Sequence, residues 1–342
     1  MKSLGITKNH KDAHIMYNFK YPSQIGIEIT NRCNFHCKHC INDSTNNSSD
    51  FLPVDIVKSV MDYMFERGLV CLDISGGEPL LHPNLAEILH YGYSKNLTMS
   101  IASNGYKLTE NFIRLLIDCN VSLRVSYDGY DESSYAHVRG EGLFEQVKKN
   151  ILLALDMGKP VTLVTAIHKG NFEQIPQYLS NAQKMGVVKI RLMPYVRIGR
   201  GAMSNLEMIS ANQWKYILEN FPKWEDEYKI NINIDSPLMA ITKGGECPCV
   251  VGKLYVVIKP NGDVIPCALL NKVIGNIYKQ SLDEIWQCNT LKEINNINLL
   301  NKECQTCRYL HACAGGCRGL AYTLKGDFLC KDPFCWLQSQ NN

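Results

Sequence analysis

The chain has 342 residues, 45% of them hydrophobic, with 36 basic and 33 acidic side chains and a formal net charge of +3. That length holds one large domain plus a smaller one with a real core, and the near balance of charge gives no electrostatic reason to expect nucleic acid or an anionic membrane surface as a partner. No run of about 18 apolar residues is available to span a bilayer, and the polar stretch Met1–Lys20 lacks the apolar core of a secretory signal. A cytoplasmic location is therefore expected. In that reducing setting the fifteen cysteines read as metal ligands rather than as a disulfide framework.

Taken in order, residues 1–22 form an N-terminal extension ending at Tyr21-Pro22, to which no chemistry is assigned. From Ile25 onward strand and helix patterns alternate. Short apolar runs predict strands at Ile25–Ile29, Val70–Ile74, Thr98–Ala102, Ser122–Ser126, Val161–Thr165 and Val188–Met193. Helical periodicity predicts helices at Pro53–Arg67, Pro83–Lys95, Glu110–Cys119, Leu143–Met157 and Phe172–Lys184, with Pro53 and Pro83 suited to first turns and Gly68, Gly158 and Gly186 to helix ends. Six such repeats imply an α/β fold with a parallel sheet, either an open doubly wound sheet or a partial barrel. A further helix at Ser210–Asn220 and a strand at Lys229–Ile234 lead to a second module, with the boundary near residues 236–246. The Asn-, Ser- and Asp-rich segment Ile41–Asp50 reads as a surface loop.

Three cysteines, Cys33, Cys37 and Cys40, follow the first strand at the spacing C-x3-C-x2-C. Three thiolates can hold three irons of a [4Fe–4S] cube and leave the fourth open; a zinc knuckle is the plainer alternative. Ser75-Gly76-Gly77-Glu78-Pro79 follows the second strand, where the glycines admit close backbone approach and Glu78 can accept from an ammonium group. Ser103-Asn104-Gly105 closes the third strand, Ser126-Tyr127-Asp128-Gly129 the fourth, and Arg139 comes soon after. Arg191-Leu192-Met193-Pro194 ends the sixth, followed by Arg197 and Arg200, which suit either an anionic substrate or solvent. His168, after the fifth strand, is read as structural. All of these fall at C-terminal strand ends, where parallel α/β folds place their ligand loops.

The cysteine triad followed by Gly-Gly-Glu-Pro resembles the radical S-adenosylmethionine (SAM) superfamily. The resemblance implies a partial (β/α)6, TIM-like barrel over residues 23–236. It implies a [4Fe–4S] cluster on Cys33, Cys37 and Cys40 whose open iron chelates SAM, and reductive cleavage of SAM to a 5′-deoxyadenosyl radical. By position, Gly76, Gly77 and Glu78 would bind the methionine amino group, Asn104 and Ser126 would face the ribose or methionine end, Arg139 would pair with the SAM carboxylate, and Leu192 would pack on adenine.

Residues 237–342 are dense in cysteine: Cys247, Cys249, Cys267, then Cys304-x2-Cys307-x5-Cys313-x3-Cys317, and Asp332-Pro333-Phe334-Cys335. The run resembles the SPASM domain, which carries two auxiliary [4Fe–4S] clusters. By position one cluster would use Cys304, Cys307, Cys313 and Cys335. The other would use Cys267, Cys317, Cys249 and Cys247, although Pro248 alone separates the last two. Cys330 rivals Cys335, Cys71, Cys119 and Cys288 are spare, and a pair of zinc ribbons is the alternative. Two auxiliary clusters suit net oxidation, and the resemblance implies action on a ribosomally made peptide or protein. An external one-electron donor such as flavodoxin or ferredoxin and a separate leader-peptide-recognition protein are the expected partners. Gly316-Cys317-Arg318-Gly319 onward also resembles SPASM enzymes of haem-type tetrapyrrole synthesis, where Arg197 and Arg200 would meet propionates. Anaerobic sulfatase maturation is a third option, and an electron-transfer protein or zinc scaffold is the alternative outside enzymes.

Overall fold

Strands of this chain alternate apolar and polar residues, so each has one face fit for a helix layer and one that is not. The computed structural model describes residues 21–69, 71–246 and 249–337. Its strands β1 (Gln24–Thr30), β2 (Cys71–Gly76), β3 (Thr98–Ser103), β4 (Ser122–Ser126), β5 (Val161–Ile167) and β6 (Lys189–Pro194) are parallel neighbours in chain order. On their outer face Leu72, Ile74, Leu123, Val125, Ile190 and Leu192 are buried. The opposite face carries Gln24, Asp73, Ser100, Arg124 and Arg191, all partly exposed. A doubly wound sheet would cover both faces and reverse its strand order at a switch point. Here the order runs β1 to β6 without reversal, so the wall curves round a polar interior, as a partial barrel does.

The outer layer is α1 (Val54–Glu66), α2 (Leu85–Ser94), α3 (Glu110–Asp118), α4 (Glu132–Arg139), α5 (Phe144–Asp156) and α6 (Ile175–Lys184). In α1, Val57, Val60, Met61 and Met64 are buried at helical spacing, each contributing about 1.5–3 kcal/mol. Helix α4 was not anticipated, because its apolar periodicity is slight. It starts from a capping box in which Asp131 accepts from Ser134 N and the Ser134 hydroxyl faces the Asp131 backbone. Helix α7 (Ala211–Tyr228) also outruns the expected end at Asn220: it continues through Pro222 because Phe221 and Trp224 are buried beyond it.

The wall does not stop at the end of the barrel segment. Strand β7 (Asn231–Asn233) pairs with β6 at one edge, and β8 (Tyr255–Ile258), from the cysteine-rich module, pairs in parallel with β1 at the other. Two short antiparallel strands, β9 (Asp263–Ile265) and β10 (Gly275–Asn276), complete a ten-stranded sheet whose end strands β7 and β10 are not paired with each other. The C-terminal module is thus built into the barrel wall. Residues 1–20 of the expected extension lie outside the described residues, and among the described residues no helix is long and apolar enough to cross a membrane.

Candidate functional site

The cysteine loop is held by backbone before any metal is considered. Thr30 accepts from Arg32 N at 2.9 Å through its hydroxyl and donates to Asp50 O at 2.9 Å, while Cys33 N donates to Thr45 O at 3.0 Å. These contacts turn the chain at the C-terminal end of β1 and bring Cys33, Cys37 and Cys40 into one electrostatic group. Cys33 and Cys37 are buried, and burial pushes the Cys33 thiol up to about 11 and the Cys37 thiol up as well. A ligand thiol must lose its proton on metallation, and the Arg139 and Arg200 charges beside Cys37 favour that loss. Two buried thiols and the half-buried Cys40, with two guanidinium groups beside Cys37, fit a thiolate-ligated cluster.

Glu78 sits beside this group but does not open towards a ligand. It is fully buried. One oxygen accepts from Ser103 Oγ at 2.8 Å and Leu80 N at 3.1 Å, the other from Asn104 N at 2.7 Å. The side chain ties the end of β2 to the end of β3. Gly77 N and Glu78 N complete the tie to the cysteine loop by donating to Thr30 O and Arg32 O at 2.7 and 2.8 Å. Burial pushes the Glu78 carboxyl up to about 7 from an ordinary 4.5, against the three hydrogen bonds that lower it. The folded chain then holds this proton more tightly than the unfolded chain. Its stabilising contribution is complete below about pH 4.5 and is lost as pH rises through about 7. In melts of the metal-free protein between pH 5 and 8, wild type is expected to lose stability of order 3 kcal/mol from this group. Glu78→Gln should show a flatter profile; parallel profiles would exclude the effect.

Arg139 has a carboxylate partner, but one from its own chain. Its Nε donates to Asp128, and Nη1 lies 3.7 Å from Cys37 Sγ. Asp128 also accepts from His39 Nε2 at 3.1 Å, Ala166 N at 2.6 Å and Thr165 Oγ1 at 3.1 Å. Although burial opposes it, the Arg139 and His39 charges hold the Asp128 carboxyl well below the usual range. Arg139 and Asp128 form a buried ion pair that steadies the cysteine loop. Asn104 has a similar place, donating through Nδ2 to Asn34 Oδ1 at 2.9 Å and lying 3.9 Å from Cys33 Sγ.

Arg200 is neither a substrate contact nor a solvated charge. Its Nη1 and Nη2 donate to Cys37 O at 3.1 Å and Ser44 O at 2.6 Å, it pairs with Asp43 at 2.9 Å, and its backbone N donates to Cys40 O at 2.9 Å. Arg197 is exposed and donates to Ala202 O at 3.2 Å. Leu192 is fully buried on the helix-facing side of β6, because period-two alternation gives the interior to Arg191 and Met193. Its side chain therefore cannot pack on a nucleobase from within the barrel. Ser126 lies on the inner face of β4, partly exposed. His168 is buried, accepts from Gly170 N at 3.1 Å, and is pushed down to about 4 by burial. Asp128 and His39 lie within motifs of the sequence but were given no role there, and Arg200 was read as a candidate for an anionic substrate or a solvated charge rather than as a clamp on the cysteine loop.

The C-terminal cysteines separate into two groups. Cys304, Cys307, Cys313 and Cys335 influence one another, and burial pushes Cys304 up to about 11. Cys249, Cys267 and Cys317 form the other, with Cys267 pushed up to about 12; Cys247 lies outside the described residues. Asp332 joins the two, accepting from Cys317 N at 2.7 Å and Phe334 N at 2.8 Å, which sets Cys335 in place. Cys330 is directed elsewhere, with Sγ 3.9 Å from Asp327.

Comparison with known proteins places the chain in a family. The family model of the radical SAM superfamily matches residues 27–181, and that of SPASM, an iron–sulfur cluster-binding domain, matches residues 247–308. The chain is 30% identical over 342 residues to an AdoMet-dependent heme synthase of Methanosarcina barkeri, covering 92% of this chain and 96% of that one. It is 28% identical over 273 residues to the antilisterial bacteriocin subtilosin biosynthesis protein AlbA of Bacillus subtilis, covering 78% of this chain and 60% of that protein. Its fold is similar to that of Streptococcus suis SuiB bound to the precursor peptide SuiA, with a TM-score of 0.79 at 16% identity, covering 93% of this chain and 76% of that one. The chain belongs to the radical SAM superfamily and carries a SPASM iron–sulfur cluster-binding domain at its C-terminal end.

Proposed function

We propose that the chain oxidatively modifies a ribosomally made peptide or protein, seating it in the polar interior of the partial barrel. SAM on the Cys33/Cys37/Cys40 cluster, when bound, supplies a 5′-deoxyadenosyl radical able to take a hydrogen from an unactivated carbon. The chain's own part is to hold that chemistry in place. Arg200, Asn104 and the Asp128–Arg139 pair fix the cysteine loop. Gly76 and Gly77 bring backbone close to it, and the barrel wall excludes water from its outer, helix-packed side.

The observation that carries the oxidative reading is the division of the C-terminal cysteines into two groups on a module whose β8 is hydrogen-bonded to β1. Two auxiliary clusters there would accept the electron that the substrate radical gives up. An external donor such as flavodoxin or ferredoxin would supply the initiating electron, and a separate protein would present the leader peptide. The relation to AlbA supports a peptide substrate.

A second reading, modification of a tetrapyrrole side chain, is favoured by the relation to the heme synthase over nearly the whole chain and by Arg124 and Arg191 in the interior. Arg124 pairs with Asp73 at 3.1 Å and Arg191 with Asp235, and the Nε of each is buried without a partner among the described residues. Either substrate would bring carboxylates to these guanidinium groups, as acidic side chains or as propionates. The test is anaerobic turnover with SAM and a chemical reductant, read by mass spectrometry. One arm contains any short precursor peptide found encoded beside the gene, the other an iron porphyrin bearing propionates. Loss of hydrogen from the peptide supports the first reading; loss of carbon dioxide from the porphyrin overturns it in favour of the second. With the accepted substrate, Arg124→Ala or Arg191→Ala should raise KM about 10- to 100-fold, the value of a charge-assisted hydrogen bond. An unchanged KM would remove both arginines from substrate binding.

A further inference from the structure

The C-terminal module sends a side chain into the barrel interior. Tyr255 opens β8 and stands opposite Gln24 in the β1–β8 register. Its neighbours Val256 and Ile258, opposite Ile25 and Ile27, are buried on the helix-facing side, so period-two alternation turns Tyr255 inward. Its ring lies over Gly26, where a Cβ would stand 2.3 Å from Tyr255 Oη and 3.0 Å from Cζ. The hydroxyl thus reaches across the first strand of the wall, into space that the missing side chain of Gly26 leaves open.

Gly26 is the register partner of Asp73 on β2, so the hydroxyl ends beside an acid of the interior. Both oxygens of that acid are engaged. Asp73 Oδ2 accepts from Gln24 Nε2 at 2.5 Å, and Oδ1 accepts from Ser100 Oγ and from Arg124 Nη2, the latter at 3.1 Å. Three donors near it are left over. Among the described residues Arg124 Nε and Arg191 Nε are buried without a partner, and the Tyr255 hydroxyl forms no hydrogen bond. Arg191 lies within electrostatic reach of Arg124, Asp73 and Tyr255. Two guanidinium edges and a phenol, with the nearby acid already used, match an acceptor that has two oxygens and a negative charge. A carboxylate has both.

We propose that Tyr255, Arg124 and Arg191 form one subsite for a substrate carboxylate, to which the C-terminal module contributes the phenol. The guanidinium groups supply the attraction, and the hydroxyl, fixed against β1, selects the orientation. Tyr255 is a positioning residue in this scheme. The inference rests on the reading that the substrate sits in the barrel interior. It adds that the shared sheet of the two modules completes the binding chamber as well as carrying the second set of cysteines.

The experiment is equilibrium binding to the full chain, reconstituted anaerobically with iron and sulfide, without SAM or reductant. The probe is whichever of the precursor peptide and the iron porphyrin is turned over. It is compared with its neutral counterpart, the peptide with Asp and Glu replaced by Asn and Gln or the porphyrin with its propionates as methyl esters. Tyr255→Phe keeps the ring over Gly26 and removes one hydrogen bond to a charged group. It should weaken binding of the acidic probe about 10-fold and leave binding of the neutral one at the wild-type value. Gly26→Ala keeps Tyr255 but displaces its hydroxyl, the far end of a side chain, and should have the same effect. Equal binding of the acidic probe by wild type and Tyr255→Phe would leave the hydroxyl to water and overturn the proposal. So would an equal loss for acidic and neutral probes, or a loss of bound iron in Tyr255→Phe, which would make the residue a prop of the module. If Arg124→Ala weakens binding and Tyr255→Phe does not, only this inference falls. If neither changes it, or if neither compound is turned over, the underlying reading of the interior falls as well.

Discussion

Replacing Cys33, Cys37 and Cys40 together with alanine takes the bound iron from about twelve to about eight atoms per chain, at four per cube, and abolishes cleavage of SAM. The loss is confined because the triad supplies no ligand to the C-terminal cysteine groups. Its contacts run to Thr30, Thr45, Asp50, Glu78, Val138 and Arg200, and the two C-terminal groups, joined through Asp332, take no ligand from it. Iron and sulfide analysis of wild type and variant after anaerobic reconstitution measures the change directly. A fall from about eight to about four would mean that only one auxiliary site holds a cube, with Cys249, Cys267 and Cys317 as the site in question. Zinc in the C-terminal module would leave a radical enzyme with a structural tail and remove the electron sink from the proposed function.

A single methyl group at Gly76 or Gly77 should be nearly as damaging. Gly76 has φ +131°, and a Cβ there would meet Thr30 O at 2.2 Å; at Gly77 it would meet Arg32 O at 2.3 Å. Both obstacles are backbone atoms of the turn that leads into Cys33, so neither can swing aside like a side chain. Relief requires β2 to separate from that turn, which breaks the hydrogen bonds from Gly77 N and Glu78 N and pulls Glu78 from its three donors. Gly77→Ala is expected to cost roughly 3–5 kcal/mol and to release the iron of the triad cluster. Gly158→Ala is the control: it has φ +77° but nothing within 4 Å of a Cβ, so it should cost about 1 kcal/mol and keep all iron. Denaturant unfolding and iron content report on both. Full iron in Gly77→Ala would show that the close approach is dispensable.

Much of this molecule is legible along the chain because the relevant signals are carried by contiguous residues. The six expected strands and five expected helices appear within a few residues of their periodic patterns, since alternation and helical spacing depend only on near neighbours. The triad spacing marks the first cluster loop for the same reason. The outward pattern also contained more than was read from it. Sequences such as Ser122-Leu123-Arg124-Val125-Ser126 alternate, which a sheet covered by helices on both faces would not, so the partial barrel was already favoured over the doubly wound sheet. Helix α4 escaped because its evidence is a capping box rather than apolar periodicity, and Leu192 was assigned to the wrong face although its alternation with Arg191 and Met193 was visible.

What lay beyond the sequence is the partnership of charges. Arg200 clamps Cys37 across 163 residues of chain, Asn104 meets Asn34 across 70, and β8 joins β1 from a different module. Arg139 looked like a free guanidinium for a ligand until folding gave it Asp128. Residue type and spacing by themselves marked the family and the six parallel strands of the wall, because these follow from local period and local chemistry. Which charges are paired, and which are left for a cofactor or substrate, was decided only by the tertiary structure, because burial and distance between remote segments set the energy of a charge.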